Sequence, residues 1–381
     1  MIELTWDDFY NVVPEFHGGE MKLGTLTVAP DETLDFGGYV GKVHVSDLGA
    51  LITQRTITAG WSFRPQLAML VFQLTRKASV INTYFPLTNI LDKTEQKAFY
   101  QLAGEIISQS NFKCTLVTWY NSQYIQLLRD FYAWSGFSEN PPSHAEDSTT
   151  GYAAEIAFFI ACHIAEIFFY HRPILDHLLK TPFEIRIATS REAFEKDGGV
   201  AGGNFNANRR CIQLVLSRLF EGFKGKTPGV APFLHEFGHL LDHFDVKAHS
   251  LTESHGTLPG MRPGEAKTYN PQAQRLFLKG KQVEWERYMH LHENGYHDGD
   301  VMPIGHPYVF QNDGEFIAGY LEMFFRNPHT FAAQNPDLFD SFVLTFGYDP
   351  RKAWEKDFPF YIEQNQKFYR EHRPPKPGIT I

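Results

Sequence analysis

The segment His235-Glu-Phe-Gly-His239 constrains this chain more than any other. It demands a helix. Residues four apart on an α-helix stand one turn apart on one face, so two imidazoles can reach a single tetrahedral ion. Glu236 is rotated away from both rings yet stays near the open metal position, where it can take a proton from water. With 17 His among 381 residues, such a pattern arises by chance in roughly one chain in twenty, so context decides. Phe233, Phe237, Leu240 and Phe244 recur at helical period and predict a partly buried helix over 229–244. A strand expected at Cys211–Leu216 precedes it and offers an edge for extended substrate. Gly238 permits another backbone to come close, at a helix cost of about 1 kcal/mol against Ala.

A catalytic zinc needs a third protein ligand. Three and six residues beyond the second His stand Asp242 and Asp245. Asp245 is one candidate, but Asp242 occupies the position where a glycine would turn the helix early. Glu315 is the better one. It opens a helix expected over 313–326, in which Ile317, Tyr320, Leu321 and Phe324 share one face. A carboxylate at the edge of such a face is nearly buried and requires a metal or another partner.

Two blocks carry a resemblance: His235-Glu-Phe-Gly-His-Leu-Leu-Asp242, and Tyr308-x6-Glu315-Phe-Ile-Ala-x3-Glu322-x-Phe-Phe-x2-Pro328. Together they resemble the zincin peptidases related to Mlc titration factor A, and the catalytic domain of anthrax lethal factor. The resemblance covers about 190–340 and departs from lethal factor at Gly319, where that protein has a second Glu. It implies one Zn2+ per chain held by His235, His239 and Glu315, in the manner of a gluzincin. It further implies that Glu236 is the general base and that Tyr308 polarises the scissile carbonyl. Asp242 and Glu322 match the titration-factor pattern, and Asp242 is expected to orient a ligand imidazole.

The rest of the chain sets the frame. Hydrophobic residues make up 43% and charged residues 21%, enough apolar matter for a large core. The formal charge of −9 argues against nucleic acid or an anionic membrane as partner. Cys114, Cys162 and Cys211 are too scattered for a disulfide framework or a cysteine zinc site. The start Met1-Ile-Glu-Leu-Thr-Trp is no signal peptide, so a cytoplasmic location is expected, although export without a leader is equally compatible. The apolar run Ile156–Tyr170 is too short for a membrane span and predicts a buried helix over 152–171.

Strands are expected at Lys22–Val28, Tyr39–Val45 and Leu51–Ile57, forming a small antiparallel sheet. Asp92-Lys-Thr-Glu95 has capping-box spacing ahead of a helix to Ile107. A strand at Cys114–Trp119 and a helix at Ser122–Trp134 follow. Beyond the run Ser138–Gly151, the reading gives a helix at 174–180 and a strand at Phe183–Ala188. It makes Asn204–Asn208 a hairpin turn, 246–282 a polar excursion with a short helix at Pro271–Leu278, and 283–293 a separate helix. The histidines at 243, 249, 255, 290, 292, 297 and 306 are read as solvated, with His306 near enough to Tyr308 to reach the cleft. Asp298-Gly-Asp300 is read as a turn.

The expected architecture is α+β. Residues 1–137 form a mixed α/β domain of unassigned role and 138–150 a linker. Residues 151–345 form a zincin-like metallopeptidase domain, with a mixed sheet, an active-site helix and a helical C-terminal subdomain. Residues 346–381 form a helical extension with a Pro-rich tail. The expected activity is hydrolysis of peptide bonds in a peptide or protein substrate. The alternative is a regulatory protein-binding module on a zincin fold, with weak or no peptidase activity.

Overall fold

The computed structural model describes residues 2–3, 15–17, 19–35, 42–46, 85–108, 112–117, 149–188, 191–200, 202–219, 230–265 and 267–381. The expected strand at Leu51–Ile57, the helix at Ser122–Trp134 and most of the linker at 138–150 lie outside these residues. The chain divides into two compact units. One is Met1–Leu116 with Tyr120–Glu166, the other Val117–Trp119 with Ile167–Ile381.

In the first unit the β-rich reading needs two corrections. Lys22–Val28 is not one strand. Gly24 adopts a positive φ of 60°, the chain reverses there, and Glu20–Leu23 pairs antiparallel with Leu26–Val28. Lys42–His44 does not join that hairpin. It pairs antiparallel with Thr33–Asp35, whose other neighbour, Ile2–Glu3, runs parallel. The capping box is present. The Glu95 amide donates to Asp92 Oδ1 at 2.8 Å and the Asp92 amide to Glu95 Oε2 at 3.0 Å, opening the helix Lys93–Ser108. The apolar run Ile156–Tyr170 lies in the helix Thr149–Phe168 except for its last two residues. Among the described residues, no helix is long and apolar enough to cross a membrane.

The second unit begins with α1 (Arg172–Leu178) and β1 (Phe183–Ala188), followed by α2 (Arg191–Lys196). Then come β2 (Gly203–Asn206), β3 (Cys211–Val215) and α3 (Leu216–Leu219). All five residues of β3 are buried, because it is an interior strand. It runs parallel to β1 and antiparallel to β2. Two expectations therefore change. Asn204–Asn206 belongs to a strand, and the turn falls after it. And β2, at the end of the sheet order, carries the open edge among the described residues in place of β3. Asp197 fastens the loop between α2 and β2. Its carboxylate takes Nε and Nη2 of Arg186 at 2.7 Å each and Nε2 of Gln213 at 2.9 Å.

The helix α4 (Pro232–His243) ends in a short hairpin of β4 (Phe244–Asp245) and β5 (Ser250–Leu251). Next is α5, a single 24-residue helix over Pro271–Asn294, where the sequence reading has two. Lys279-Gly280-Lys281 looks like a break, but the helix runs through it and the glycine serves packing: a Cβ at Gly280 would lie 2.4 Å from the backbone nitrogen of Leu338. That nitrogen belongs to α8 (Pro336–Phe346), which packs on α5. Between them run a 3-10 turn (Pro307–Phe310), α6 (Asp313–Arg326) and α7 (Pro328–Gln334). A last helix, α9, spans Pro359–Glu371.

Phenylalanine rings join the helices that carry the site. Phe237 of α4 meets Phe168 at 6.2 Å between ring centres, Phe168 meets Phe346 at 6.0 Å, and Phe346 meets Phe324 of α6 at 6.0 Å.

Candidate metal centre

The close packing of α4 on α6 makes the site. Gly238 is the point of contact. A Cβ at this position would stand 2.7 Å from Cα of Ala318, so only glycine lets the two backbones approach. Ala318 lies one turn beyond Glu315, and the contact brings Glu315 under the two histidines. Asn312 caps α6 by accepting the Glu315 amide at 2.9 Å, which fixes where that side chain leaves the helix.

His235 Nε2 and His239 Nε2 lie 3.1 and 3.3 Å from the same oxygen, Glu315 Oε2. Ligand atoms that share a tetrahedral ion at roughly 2.0–2.1 Å stand about 3.3 Å apart, so the donors have the right spacing. Among the described residues these three are the only such group, with all ligand atoms within 4.8 Å of one another. Their charge points the same way. Glu236, Glu315 and Glu322 crowd two imidazoles in a mostly buried pocket, and buried carboxylates require a cation. The chemistry of this donor set suits zinc.

The groups shift one another's protonation. Burial opposes charge on His235, but hydrogen bonds to Glu315 and Glu322 outweigh it and push its pKa up to about 10. Burial also works against ionised Glu315, yet the bonds from His235 and His239 hold its carboxyl far below the usual range. Glu236 is raised, because burial exceeds the pull of the two imidazoles. It is 8% exposed and accepts a hydrogen bond from the Phe205 backbone. The neighbouring Gly203 leaves room for it, since a Cβ there would be 3.3 Å from Glu236 Oε1. The edge strand β2 thus grips the carboxylate. The Gly-rich run before Asn204 is the sequence signal for this close approach, and it resembles a turn.

Tyr308 stands at the mouth, 45% exposed. Its hydroxyl donates to Glu315 Oε1 at 2.9 Å, and burial together with that bond pushes the phenol pKa upward. The segment carrying it is held from below. Gly319 makes room for Val309, whose Cγ1 would lie 2.3 Å from a Cβ. On its other side, Asp313 accepts from Lys281 Nζ at 2.7 Å and from the Thr380 amide at 2.9 Å. Sequence reasoning missed Lys281, a charged side chain that is almost wholly buried.

The remaining candidates divide. Glu322 Oε2 lies 3.7 Å from His235 Nδ1, and Glu322 Oε1 accepts the Ala231 amide at 2.5 Å. It therefore joins the start of α4 to the ring of the candidate ligand His235. Asp242 is fully buried, but its bonds go to Ser254 Oγ at 2.5 Å and to the amides of His255 and Thr257 at 3.2 Å. It orders a loop beside the site. Asp245 turns away to accept the amides of Lys247 and Ala248 at 2.8 Å. His306 caps the 3-10 turn, with its ring against Phe368 at 5.4 Å.

Two imidazoles and a carboxylate on crossed helices, with a second carboxylate beside them, define a candidate centre of the metallopeptidase type. Comparison agrees: residues 186–347 match the family model of the glucose-regulated metallo-peptidases M90, the family of Mlc titration factor A. The resemblance carried by the two motif blocks therefore holds over the part of the chain that contains them. No curated protein matches the chain.

Proposed function

We propose that this protein is a zinc-dependent peptidase that hydrolyses peptide bonds, with His235, His239 and Glu315 as ligands and Glu236 as general base. The convergence of both imidazoles on one oxygen of Glu315, at 3.1 and 3.3 Å, supports the reading most directly. A bound zinc ion supplies a Lewis acid and water acidified to a pKa of about 7. Glu236, with its carboxyl raised by burial, receives the water proton and delivers it to the leaving amine. Tyr308 turns its hydroxyl from Glu315 to the oxyanion as charge develops there. The open edge of β2 holds the substrate as an added strand beside Glu236. Glu322 orients His235 from behind, and Asp242 supports the site through the 254–257 loop. The peptidase domain over 151–345, set off by the linker at 138–150, belongs to this proposal.

The test is cleavage of an unbiased peptide library by zinc-loaded protein. Turnover that a chelator abolishes and zinc restores is the expected result. Folded, zinc-loaded protein that cleaves nothing would instead favour a regulatory binding module.

A further inference from the structure

The stretch that leads into α6 has little regular structure, yet much of it is buried. Residues 304–313 carry Tyr308 and end two residues before Glu315. Ile304 is 3% exposed and Phe310 1%, and the carbonyls of such a segment must find donors outside it. The C-terminal arm supplies them. Asn365 Nδ2 of α9 donates to the Ile304 carbonyl at 2.9 Å, and the Tyr369 hydroxyl of α9 to the Gly305 carbonyl at 2.8 Å. Beyond α9, the Gly378 amide donates to the Phe310 carbonyl at 2.8 Å. The Thr380 amide donates to Asp313 Oδ1 at 2.9 Å. These contacts follow the same order along both stretches, so the arm runs beside the segment from its start to the first turn of α6.

The arm is itself anchored. Just after α9, the Arg373 guanidinium donates to the Glu293 carbonyl at 2.5 Å, and His292 Nδ1 donates to the Pro374 carbonyl at 2.9 Å, which ties it to the end of α5. Pro374 and Ile379 are buried. At Gly378 the approach is close. A Cβ there would lie 2.1 Å from the Gln311 carbonyl oxygen, so a side chain would force the two backbones apart. The next residue, Asn312, accepts the Glu315 amide, so a shift at 311–313 reaches the candidate ligand directly. Asp313 also takes the buried Lys281 Nζ at 2.7 Å, which holds it from α5 while Thr380 holds it from the arm. The arm lies beyond residues 186–347, so the centre draws support from outside the family-matched part of the chain.

We propose that the C-terminal arm, residues 365–380, is a positioning element for the candidate centre: its donors set where residues 304–313 lie, and through them the Tyr308 hydroxyl and the Glu315 carboxylate. The inference deepens the peptidase reading, and its functional part rests on that reading. Gly378 and Thr380 contribute main-chain amides, so at these positions backbone geometry, and not the identity of a side chain, carries the role. Loss of either amide leaves an acceptor without its partner at the start of α6, where helix ends already lack internal hydrogen bonds. The first turn then frays, and Glu315 samples positions away from the two imidazoles.

The experiment compares three variants of the full chain. Thr380→Pro removes one amide, Gly378→Ala adds the clashing methyl, and Thr380→Ala keeps the amide as a control. Both positions are exposed, so the core stays intact. In zinc-free protein, amide hydrogen exchange over residues 308–316 should be about tenfold faster or more in Thr380→Pro and Gly378→Ala, with β3 protected as in the wild type. Thr380→Ala should match the wild type. Zinc affinity, read by competition with a metal indicator, should fall by about tenfold or more in the first two variants. At saturating zinc, kcat for peptide cleavage should fall by a similar factor with little change in KM, because the β2 edge is untouched. Wild-type exchange in both variants, or faster exchange with zinc affinity unchanged, would overturn the proposal. If Gly378→Ala fails to fold, Thr380→Pro decides alone. The exchange readout needs neither zinc nor turnover, so a chain that binds no zinc or cleaves no peptide sinks the peptidase reading and leaves this test in force.

Discussion

Glu236 and Tyr308 flank the same three ligands, and substitution should separate their roles. Neither supplies a candidate ligand atom, so Glu236→Gln and Tyr308→Phe should keep zinc and fold. Loss of the base should lower peptide cleavage by at least about 10²–10⁴-fold. Loss of one oxyanion donor should lower kcat by roughly 10²–10³-fold with little change in KM. Assays at matched zinc occupancy decide. Wild-type cleavage by Glu236→Gln would point to another catalyst, and a Tyr308→Phe defect confined to KM would make Tyr308 a binding residue. At this scale much was legible. The i, i+4 histidines declare themselves through helix geometry, and Glu315 through its place at the start of an apolar-faced helix. The partners of Asp242 were not legible, because a buried carboxylate accepts from any nearby donor and those it found are loop groups 12 to 15 residues away.

Between elements, single glycines and one ion pair decide how the parts meet. Gly238→Ala would improve helix propensity by about 1 kcal/mol, but its methyl must push α6 away from Ala318, at about 1–3 kcal/mol. The separation also moves Glu315 from the histidines. Zinc affinity should therefore fall even where thermal stability changes little, and competition with a metal indicator measures it. Asp197 offers a test by pH. Its hydrogen bonds to Arg186 hold its carboxyl below the ordinary value. The stability it adds is complete above the unfolded pKa of about 3.9 and is lost as pH falls toward the depressed folded value. Asp197→Asn should be less stable near pH 7 and show a flatter acid limb below about pH 4 in urea unfolding. An unchanged acid limb would remove Asp197 from the account. Element boundaries were less legible than element types. Gly280 resembles a helix break in sequence and is a packing contact in space. Gly203-Asn204 resembles a turn and is an edge strand. In both cases a distant backbone, invisible to local pattern, decides the outcome.

For the molecule as a whole, a metal held as proposed by His235, His239 and Glu315 would join α4 to α6 and thereby add to folding. At a free zinc concentration of about 100 times Kd, a site absent from the unfolded chain contributes about 2.7 kcal/mol. In a unit of this size, that corresponds to a Tm shift of roughly 5–11 °C. Calorimetry with chelator and after zinc restoration should find it in wild type and lose it in His239→Ala. Equal Tm values in both forms of the wild type would mean that nothing folded depends on zinc. The open edge of β2 has a wider consequence. A sheet edge grips amides and carbonyls, which every polypeptide offers, but only where they are not already paired with one another. A helix or an interior strand of a folded protein has none to give. On the proposed peptidase reading, the first sieve on substrate would be the local order of the victim, ahead of its side chains: a tail, a linker or a partly melted segment would be cut, whereas the same residues locked into a stable fold would be spared.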